Sequence, residues 1–285
     1  MYVLCSPCIL NPALRAKGIT KPSDIEAFLR AGERCKKFGL EMVPLPCPET
    51  NYLGPERTPG TFLERLNTPE FSSLLDDLEK KVNAVVEQRG IPVCLIGVNS
   101  SPTCGVTSTY YGSEGSAPPK RKQRGVFLKR FPDIRGIDVE TFSRYRVYMA
   151  APLFSEADRT YNLSIAELLR KNFFEVYLPQ QEGNDSSVRN KEEQVRIFSK
   201  NLAALESADI IVANIDGADA DSGTAWEMGY ASARGKTIIA LRTDFRKVGS
   251  EENVNFMLEE SATVVTSTNA LLSAIKSPVI GKFDS

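Results

Sequence analysis

The sequence predicts an α/β protein of two domains, and three observations carry that expectation. Short apolar runs alternate along the chain with longer segments in which apolar residues recur at helical spacing, the order that builds parallel sheets. The run Asp209-Ile-Ile-Val-Ala-Asn-Ile215 is nearly all apolar, as expected of a strand buried on both faces of such a sheet. Between the halves lies a polar, Pro/Gly/Ser-rich stretch, Gly112–Gly125, that reads as a linker or mobile loop, and 285 residues suffice for two domains. A smaller α/β domain is expected at 1–135 and a second domain at 142–285, with the boundary near Gly136 to Thr141.

Composition narrows the class. A hydrophobic fraction of 42% and a charged fraction of 25% are those of a soluble globular chain, and a net charge of −1 speaks against a general nucleic-acid binder. No apolar run approaches the roughly 20 residues needed to span a bilayer, and the first residues lack signal-peptide character, so no membrane partner and a cytoplasmic location are expected. The six cysteines, Cys5, Cys8, Cys35, Cys47, Cys94 and Cys104, are then read as reduced, catalytic or metal-bound. The chain has no histidine, so acid–base work falls to carboxylates, tyrosines or thiols.

Tyr2–Cys5 reads as a strand, and the loop after it carries Cys5-Ser-Pro-Cys8. Pro22 to about Phe38 reads as a helix with Ser23 as N-cap and Gly39 as stop. Met42-Val-Pro-Leu is a second strand leading into Cys47-Pro-Glu49. Pro69–Gln88 is helical, with Phe71, Leu74, Leu78, Val82 and Val85 on one face. Pro92–Val98 is a buried strand ending at Asn99-Ser-Ser101-Pro-Thr-Cys104-Gly, and Gly125–Phe131 closes the domain. Three cysteine-bearing loops each follow a strand and so converge at one sheet edge, whereas Cys35 and Cys94 read as small core residues. Three thiolates, from Cys5, Cys8 and Cys104, are too few for a closed four-thiolate zinc site unless Cys47 joins them; they suit a 4Fe-4S cluster with one open iron.

In the second half, Tyr145–Phe154 is a strand entering a Pro-containing turn, and Ser155–Asn172 is a helix. Glu175–Pro179 is a strand, Asn190–Ser207 a helix, and the strand at Asp209–Ile215 runs into an acidic loop with Asp216, Asp219 and Asp221. Ser222-Gly223-Thr224 opens a helix carrying Glu227. Lys236–Leu241 is a strand, Asn253–Glu259 a short helix, Thr263–Val265 the fifth strand and Asn269–Lys276 a closing helix. Five parallel strands with helices on both faces imply a flavodoxin-like fold, whose ligands bind outside the carboxyl ends of the strands.

The string Asp221-Ser-Gly-Thr-Ala-Trp-Glu227-Met-Gly-Tyr-Ala, with Tyr148, Asp209 and the pair Asn255-x-Met257 in order, resembles the nucleoside 2-deoxyribosyltransferases. Its two glycines are expected to let a ligand and a neighbouring strand approach the backbone. The resemblance implies that Glu227 is the nucleophile on C1′ of a deoxyribose, Tyr148 its orienting partner and Asp209 the proton donor to the base. Asp221 and Asn255 would grip the sugar, with Gly223, Met257 and Phe154 completing the substrate-binding set. Asn255 and Met257 would reach a neighbouring subunit's site, which implies a homo-oligomer acting on deoxynucleosides and nucleobases. If water resolves the intermediate, the same site is an N-glycoside hydrolase; a non-catalytic nucleotide sensor is the competitor from another class.

Over roughly residues 1–130, Cys5-x-x-Cys8, Cys47-Pro-Glu49 with Arg57-Thr-Pro59, and Ser101-Pro-Thr-Cys104-Gly are similar to the thiouracil desulfurase family. That resemblance implies a 4Fe-4S cluster on Cys5, Cys8 and Cys104, with Cys47, Glu49 and Ser101 as catalytic candidates and desulfuration of thiolated nucleobases as the activity. Zinc is the competing metal.

Overall fold

The computed structural model describes residues 1–112, 120–182, 190–246 and 254–276. The chain separates into two compact units that break between Ser143 and Arg144.

In the first unit the elements are β1 (Tyr2–Cys5), α1 (Pro22–Lys37), β2 (Glu41–Pro44), α2 (Pro48–Leu53), α3 (Phe62–Arg65), α4 (Pro69–Arg89), β3 (Leu95–Gly97), β4 (Thr109–Tyr110), β5 (Lys120–Arg121), β6 (Gly136–Asp138) and α5 (Val139–Ser143). Among the described residues β1, β2, β3 and β6 form a parallel sheet in the order β2-β1-β3-β6. Helix α4 starts where Thr68 Oγ1 accepts the Phe71 N–H at 3.1 Å, and it stops at Gly90, which takes φ 80°. It buries Phe71, Leu75, Leu78 and Val82; Leu75 replaces the expected Leu74, which is only partly buried with Val85. Each such side chain contributes roughly 1.5–3 kcal/mol of apolar burial. Helix α1 caps differently from the expectation. Lys21, not Ser23, is its N-cap, and Asp24 accepts the Lys21 N–H at 2.8 Å.

The first unit extends past residue 135. Gly136–Asp138 pairs in parallel with Leu95–Gly97, and α5 packs on α1, where buried Arg34 donates to the Phe142 carbonyl at 2.8 Å. Nor does Gly112–Gly125 link the two units: Lys120–Arg121 pairs antiparallel with Thr109–Tyr110 inside the first, while residues 113–119 of that stretch lie outside the described residues.

The second unit runs β7 (Arg146–Ala150), α6 (Glu156–Lys171), β8 (Glu175–Tyr177), α7 (Pro179–Glu182), α8 (Lys191–Ser207), β9 (Ile210–Asn214), α9 (Ser222–Ala233), β10 (Thr237–Leu241), α10 (Phe256–Ser261), β11 (Thr263–Val265) and α11 (Thr268–Ile275). Its sheet is parallel throughout, in the order β11-β10-β9-β7-β8. Numbered from its own first strand, this is the 2-1-3-4-5 order of flavodoxin-like folds, with the switch point between β7 and β9. Strand alternation sends Tyr148, Ala150, Ile211 and Ala213 to the face covered by α8 and α9 through Leu205, Met228 and Ala231. The short helix expected at Asn253–Glu259 begins instead at Phe256, because the Asn255 side chain caps it; Asn253 lies outside the described residues. Among the described residues no helix is long and apolar enough to cross a membrane.

Candidate functional site

In the second unit the switch point between β7 and β9 brings two predicted residues into contact. Tyr148 on β7 is fully buried, and its hydroxyl donates a hydrogen bond to Glu227 Oε1 on α9. Helix α9 is aimed there by Asp221, whose Oδ2 accepts the N–H groups of Gly223 (2.9 Å) and Thr224 (3.1 Å). Burial pushes the Glu227 carboxyl up to about 7, opposed by the Tyr148 hydrogen bond and reinforced by the negative charge of Asp221. The Tyr148 phenol is raised in turn by burial and by Glu227, so it stays a neutral donor.

Behind this pair stand residues that the sequence reading missed. Tyr177 lies opposite Tyr148 in register on β8, their rings stack at 5.5 Å, and the Tyr177 hydroxyl donates to Asn201 Oδ1 at 2.9 Å. The parallel register was the available signal, since it puts both tyrosines on one face. Asn214 Nδ2 donates to Asn162 Oδ1 at 3.2 Å, and Asn162 Nδ2 donates to the Pro152 carbonyl at 2.6 Å, which ties the Pro-containing turn to the end of β9.

Asp209 does not join the site. It precedes β9 at its amino end, and its Oδ2 accepts the N–H groups of Tyr145 (3.1 Å) and Arg146 (3.0 Å), so it clamps β7 to β9 at the edge opposite Glu227. Asp216, just past the carboxyl end of β9, accepts from Thr243 N at 2.5 Å, Thr243 Oγ1 at 2.6 Å and Asp244 N at 2.8 Å. Among the described residues a Cβ at Gly229 would meet nothing within 4 Å, so none of the described strands approaches there; at Gly223 the nearest atom is Asp221 Oδ2, 3.0 Å away. Phe154 is 75% exposed and Met257 66% exposed. Asn255 Oδ1 accepts the Met257 N–H at 3.0 Å, and the neighbouring Val254 packs into the core that holds Met228.

In the first unit, loops at the carboxyl ends of β1, β2 and β3 line one cavity of about 760 Å³ with Cys8, Cys47, Cys104, Glu49, Arg57, Ser101 and Thr103. Cys8 sits in a 3-10 turn, Cys47 caps α2, and Cys104 follows β3. The three thiols are electrostatic neighbours, and burial is the main cause that pushes Cys8 up to about 12 and Cys104 above its ordinary value. Gly105 fixes the last loop, because a Cβ there would meet the Ser108 carbonyl oxygen at 2.2 Å. Glu49 is held from both sides. Ser101 Oγ (3.1 Å) and Thr103 Oγ1 (2.8 Å) donate to Oε1, and Arg57 Nε donates to Oε2 at 3.3 Å. Buried Arg57 is itself anchored on Thr50 Oγ1 (2.9 Å) and the Leu14 carbonyl (2.7 Å).

Cys5 stands apart from that set. As the last residue of β1 it is fully buried, its sulfur lies 3.7 Å from the Val43 carbonyl, and its thiol interacts with Cys35 and Cys94 as well as Cys8. The chain must leave the strand and turn before a side chain faces the cavity, which selects Cys8. The structure therefore assembles Cys8, Cys47 and Cys104 rather than Cys5, Cys8 and Cys104. Among the described residues no three Cys, Asp or Glu side chains close around a single bare metal ion.

Residues 147–266 match the family model described as nucleoside 2-deoxyribosyltransferase, and residues 1–136 match the one described as "Putative 2-thiouracil desulfurase". Among solved structures, the chain is 29% identical to a conserved protein from Enterococcus faecalis V583, covering 46% of this chain and 97% of that one at TM-score 0.39. It is 23% identical to a 2-deoxyribosyltransferase from Bacillus psychrosaccharolyticus, over 46% and 95% of the two chains at TM-score 0.40. It is 20% identical to a CMP N-glycosidase from Clostridium botulinum, over 46% and 97% at TM-score 0.28. No curated protein sequence matches the chain. The chain thus carries two family matches in one polypeptide, its first unit similar to the putative 2-thiouracil desulfurases over 1–136 and its second to the nucleoside 2-deoxyribosyltransferases over 147–266.

Proposed function

We propose that the second unit is a nucleoside 2-deoxyribosyltransferase that works through a covalent deoxyribosyl ester on Glu227. The contact between Tyr148 and Glu227 at the switch point carries this reading. A Glu227 oxygen bonds to C1′ as the bond from C1′ to the base nitrogen breaks, and the base leaves with the electron pair and takes up a proton. A nitrogen of a second base then attacks C1′, the ester opens, and two inversions give retention. Asp209 stands at the other end of β9, so the proton for the leaving base comes from solvent or from a group at the carboxyl edge. Asp221, Asn255, Met257, Phe154 and Gly223 remain the residues proposed to hold the substrate. Incubation with a deoxynucleoside and a different free base tests the activity. Exchanged nucleoside supports the transferase, whereas free deoxyribose as the only sugar product establishes the hydrolase instead.

Glu227 must lose its proton to attack. With its carboxyl near 7, kcat/KM is expected to rise with pH through about 7 and then level. Tyr148 donates to the ionised form, so Tyr148→Phe moves that limb to higher pH as well as slowing the reaction. A pH–rate profile measured for both proteins checks this, and an unshifted limb in the variant removes Tyr148 from the role.

The second unit is proposed to self-associate, because Phe256 (58% exposed) and Met257 project outward beside Asn255. Mixing inactive Glu227→Ala with inactive Asn255→Ala protein is expected to restore part of the activity through hybrid sites. A fully active monomer in sedimentation defeats the idea.

For the first unit we propose a 4Fe-4S cluster on Cys8, Cys47 and Cys104 and removal of sulfur from a thiolated nucleobase. Three thiols from three strand-end loops around one cavity support it, and they fit such a cluster because buried thiols become good ligands only as thiolates against a cationic centre. When bound, the cluster supplies one iron without a protein ligand, a Lewis acid for a thio substituent. The chain's own part is proton handling. Water replaces sulfur at the ring carbon, sulfide leaves, and Glu49 accepts the proton from the water while Ser101, Thr103 and Arg57 hold it in place. Zinc in a closed structural site needs a fourth ligand, and Cys5 is directed elsewhere.

A further inference from the structure

The cysteine cavity is larger than a free nucleobase needs. Its 760 Å³ falls in the range that takes a drug-sized ligand, roughly 300–1,000 Å³, so a one-ring base fills only part of it even beside a cluster. A second cavity of about 220 Å³ adjoins it within the first unit, and Arg15, Asp24, Val98, Asn99, Ser100 and Glu140 line both. Apart from Ala27, Val98 and Val139 its wall is polar. At about 30 Å³ per water this chamber has room for several waters, and so for a sugar-sized polar group.

The wall of the chamber suits hydroxyls. Asp24 Oδ2 is taken by Arg15 Nη1 (2.6 Å) and the Lys21 N–H (2.8 Å), but its Oδ1 accepts no hydrogen bond among the described residues. Nor does the exposed Glu140 carboxylate, while buried Asp138 shapes the wall by accepting the N–H groups of Asn99 (2.7 Å) and Glu140 (3.1 Å). Ser100 stands where the cavities meet, its N–H on the Ser108 carbonyl at 3.0 Å and its own carbonyl accepting the Tyr110 N–H at 3.2 Å. The next residue, Ser101, donates to Glu49, so one loop serves the proposed reacting end and the second chamber. A carboxylate is what dinucleotide-binding folds set against a ribose hydroxyl. A phosphate there would meet three carboxylates, Asp24, Asp138 and Glu140, against the two cations Arg15 and Lys120.

We infer that the first unit acts on a thiolated nucleoside, with the base in the cysteine cavity and the sugar in the adjoining chamber between Asp24, Ser100 and Glu140. The inference rests on the proposed desulfuration. The oxygen of water replaces sulfur at the ring carbon, the sulfur leaves as hydrogen sulfide, and the bond from the ring nitrogen to C1′ stays intact. Asp24, Ser100 and Glu140 hold the sugar and take no part in that exchange.

Sulfide release from 2-thiouracil, 2-thiouridine and 2-thiouridine 5′-monophosphate tests it, measured on the full chain carrying Glu227→Ala and reconstituted anaerobically, so that the second unit's proposed nucleophile cannot split the substrate. The nucleoside is expected to exceed the base in kcat/KM by about tenfold or more, the scale of one hydrogen bond to a charged group, and to exceed the monophosphate, with uridine as the product. Ser100→Gly removes the hydroxyl and suits the left-handed φ of 72° at that position, and Glu140→Gln removes the charge. Each, added to that chain, is expected to lower the ratio of nucleoside to base, through KM. A base used as well as the nucleoside, a monophosphate used better than the nucleoside, or a ratio unmoved in both variants overturns the inference and leaves the desulfurase standing. No sulfide from any of the three compounds removes the desulfurase and this inference together.

Discussion

Glu227→Ala is expected to lower base exchange by about 10³-fold or more, the scale seen when a covalent nucleophile is removed, while deoxynucleoside binding changes little. Glu227→Gln should lose as much, although it keeps the volume and can still accept from Tyr148. Loss in both variants isolates the carboxylate as the reacting group, because the amide preserves the packing of α9. Quenching wild type with excess deoxynucleoside and no acceptor base should leave one added deoxyribosyl mass on the peptide that contains Glu227. Variants that keep more than about a tenth of the activity, a difference under about 1.4 kcal/mol in barrier, or a wild type that never carries the adduct, remove Glu227 from the nucleophile's role.

Single replacement of Cys8, Cys47 or Cys104 by Ala is expected to abolish or severely lower the iron bound after anaerobic reconstitution, whereas Cys5→Ala should load as wild type does. The contrast is sharp because Cys5 and Cys8 are three residues apart, yet only Cys8 lines the cavity. The measurement is iron and acid-labile sulfide per chain, read beside the visible spectrum. Cys5→Ala without iron, with Cys47→Ala fully loaded, restores the ligand set that the sequence suggested. Tight zinc and no iron in wild type sinks the cluster and makes the first unit structural.

Much of the second unit was legible. Its strands alternate with helices of ordinary length, and each run of Ile, Val and Ala is long enough to declare a buried strand. Glu227 was legible for a local reason, because Asp221 caps the helix on which it sits six positions later. The place of Asp209, apart from Glu227, was not legible for an equally physical reason. A strand's polarity decides which edge a flanking residue occupies, and Asp209 precedes its strand where Asp216 and Asp221 follow it. The three-residue strand Gly136–Asp138 is too short to show a period, so it passed for a boundary. Cys5 ends β1 and does not line the cavity, which the sequence could not show because the facing of a residue at the end of a strand depends on the turn beyond it. Arg57 and Asn201 acquire their roles from partners such as Leu14 and Tyr177, 43 and 24 positions away in sequence, where no spacing rule reaches.

The burial that raises Glu227 has a kinetic consequence. Its shift from 4.5 to about 7 corresponds to roughly 3 kcal/mol held against the charged form, at 1.36 kcal/mol per unit. A glycosyl ester carries no charge. Forming it therefore relieves the strain of an anion kept in a poorly solvated place, and reopening it restores that strain. In the proposed mechanism, burial of Glu227 would thus favour the sugar-bearing enzyme over the free one by about the free energy that it withholds from the carboxylate. An ester held in this way would give one base time to leave and another to enter, so the shielding of a single side chain would bear on exchange between bases.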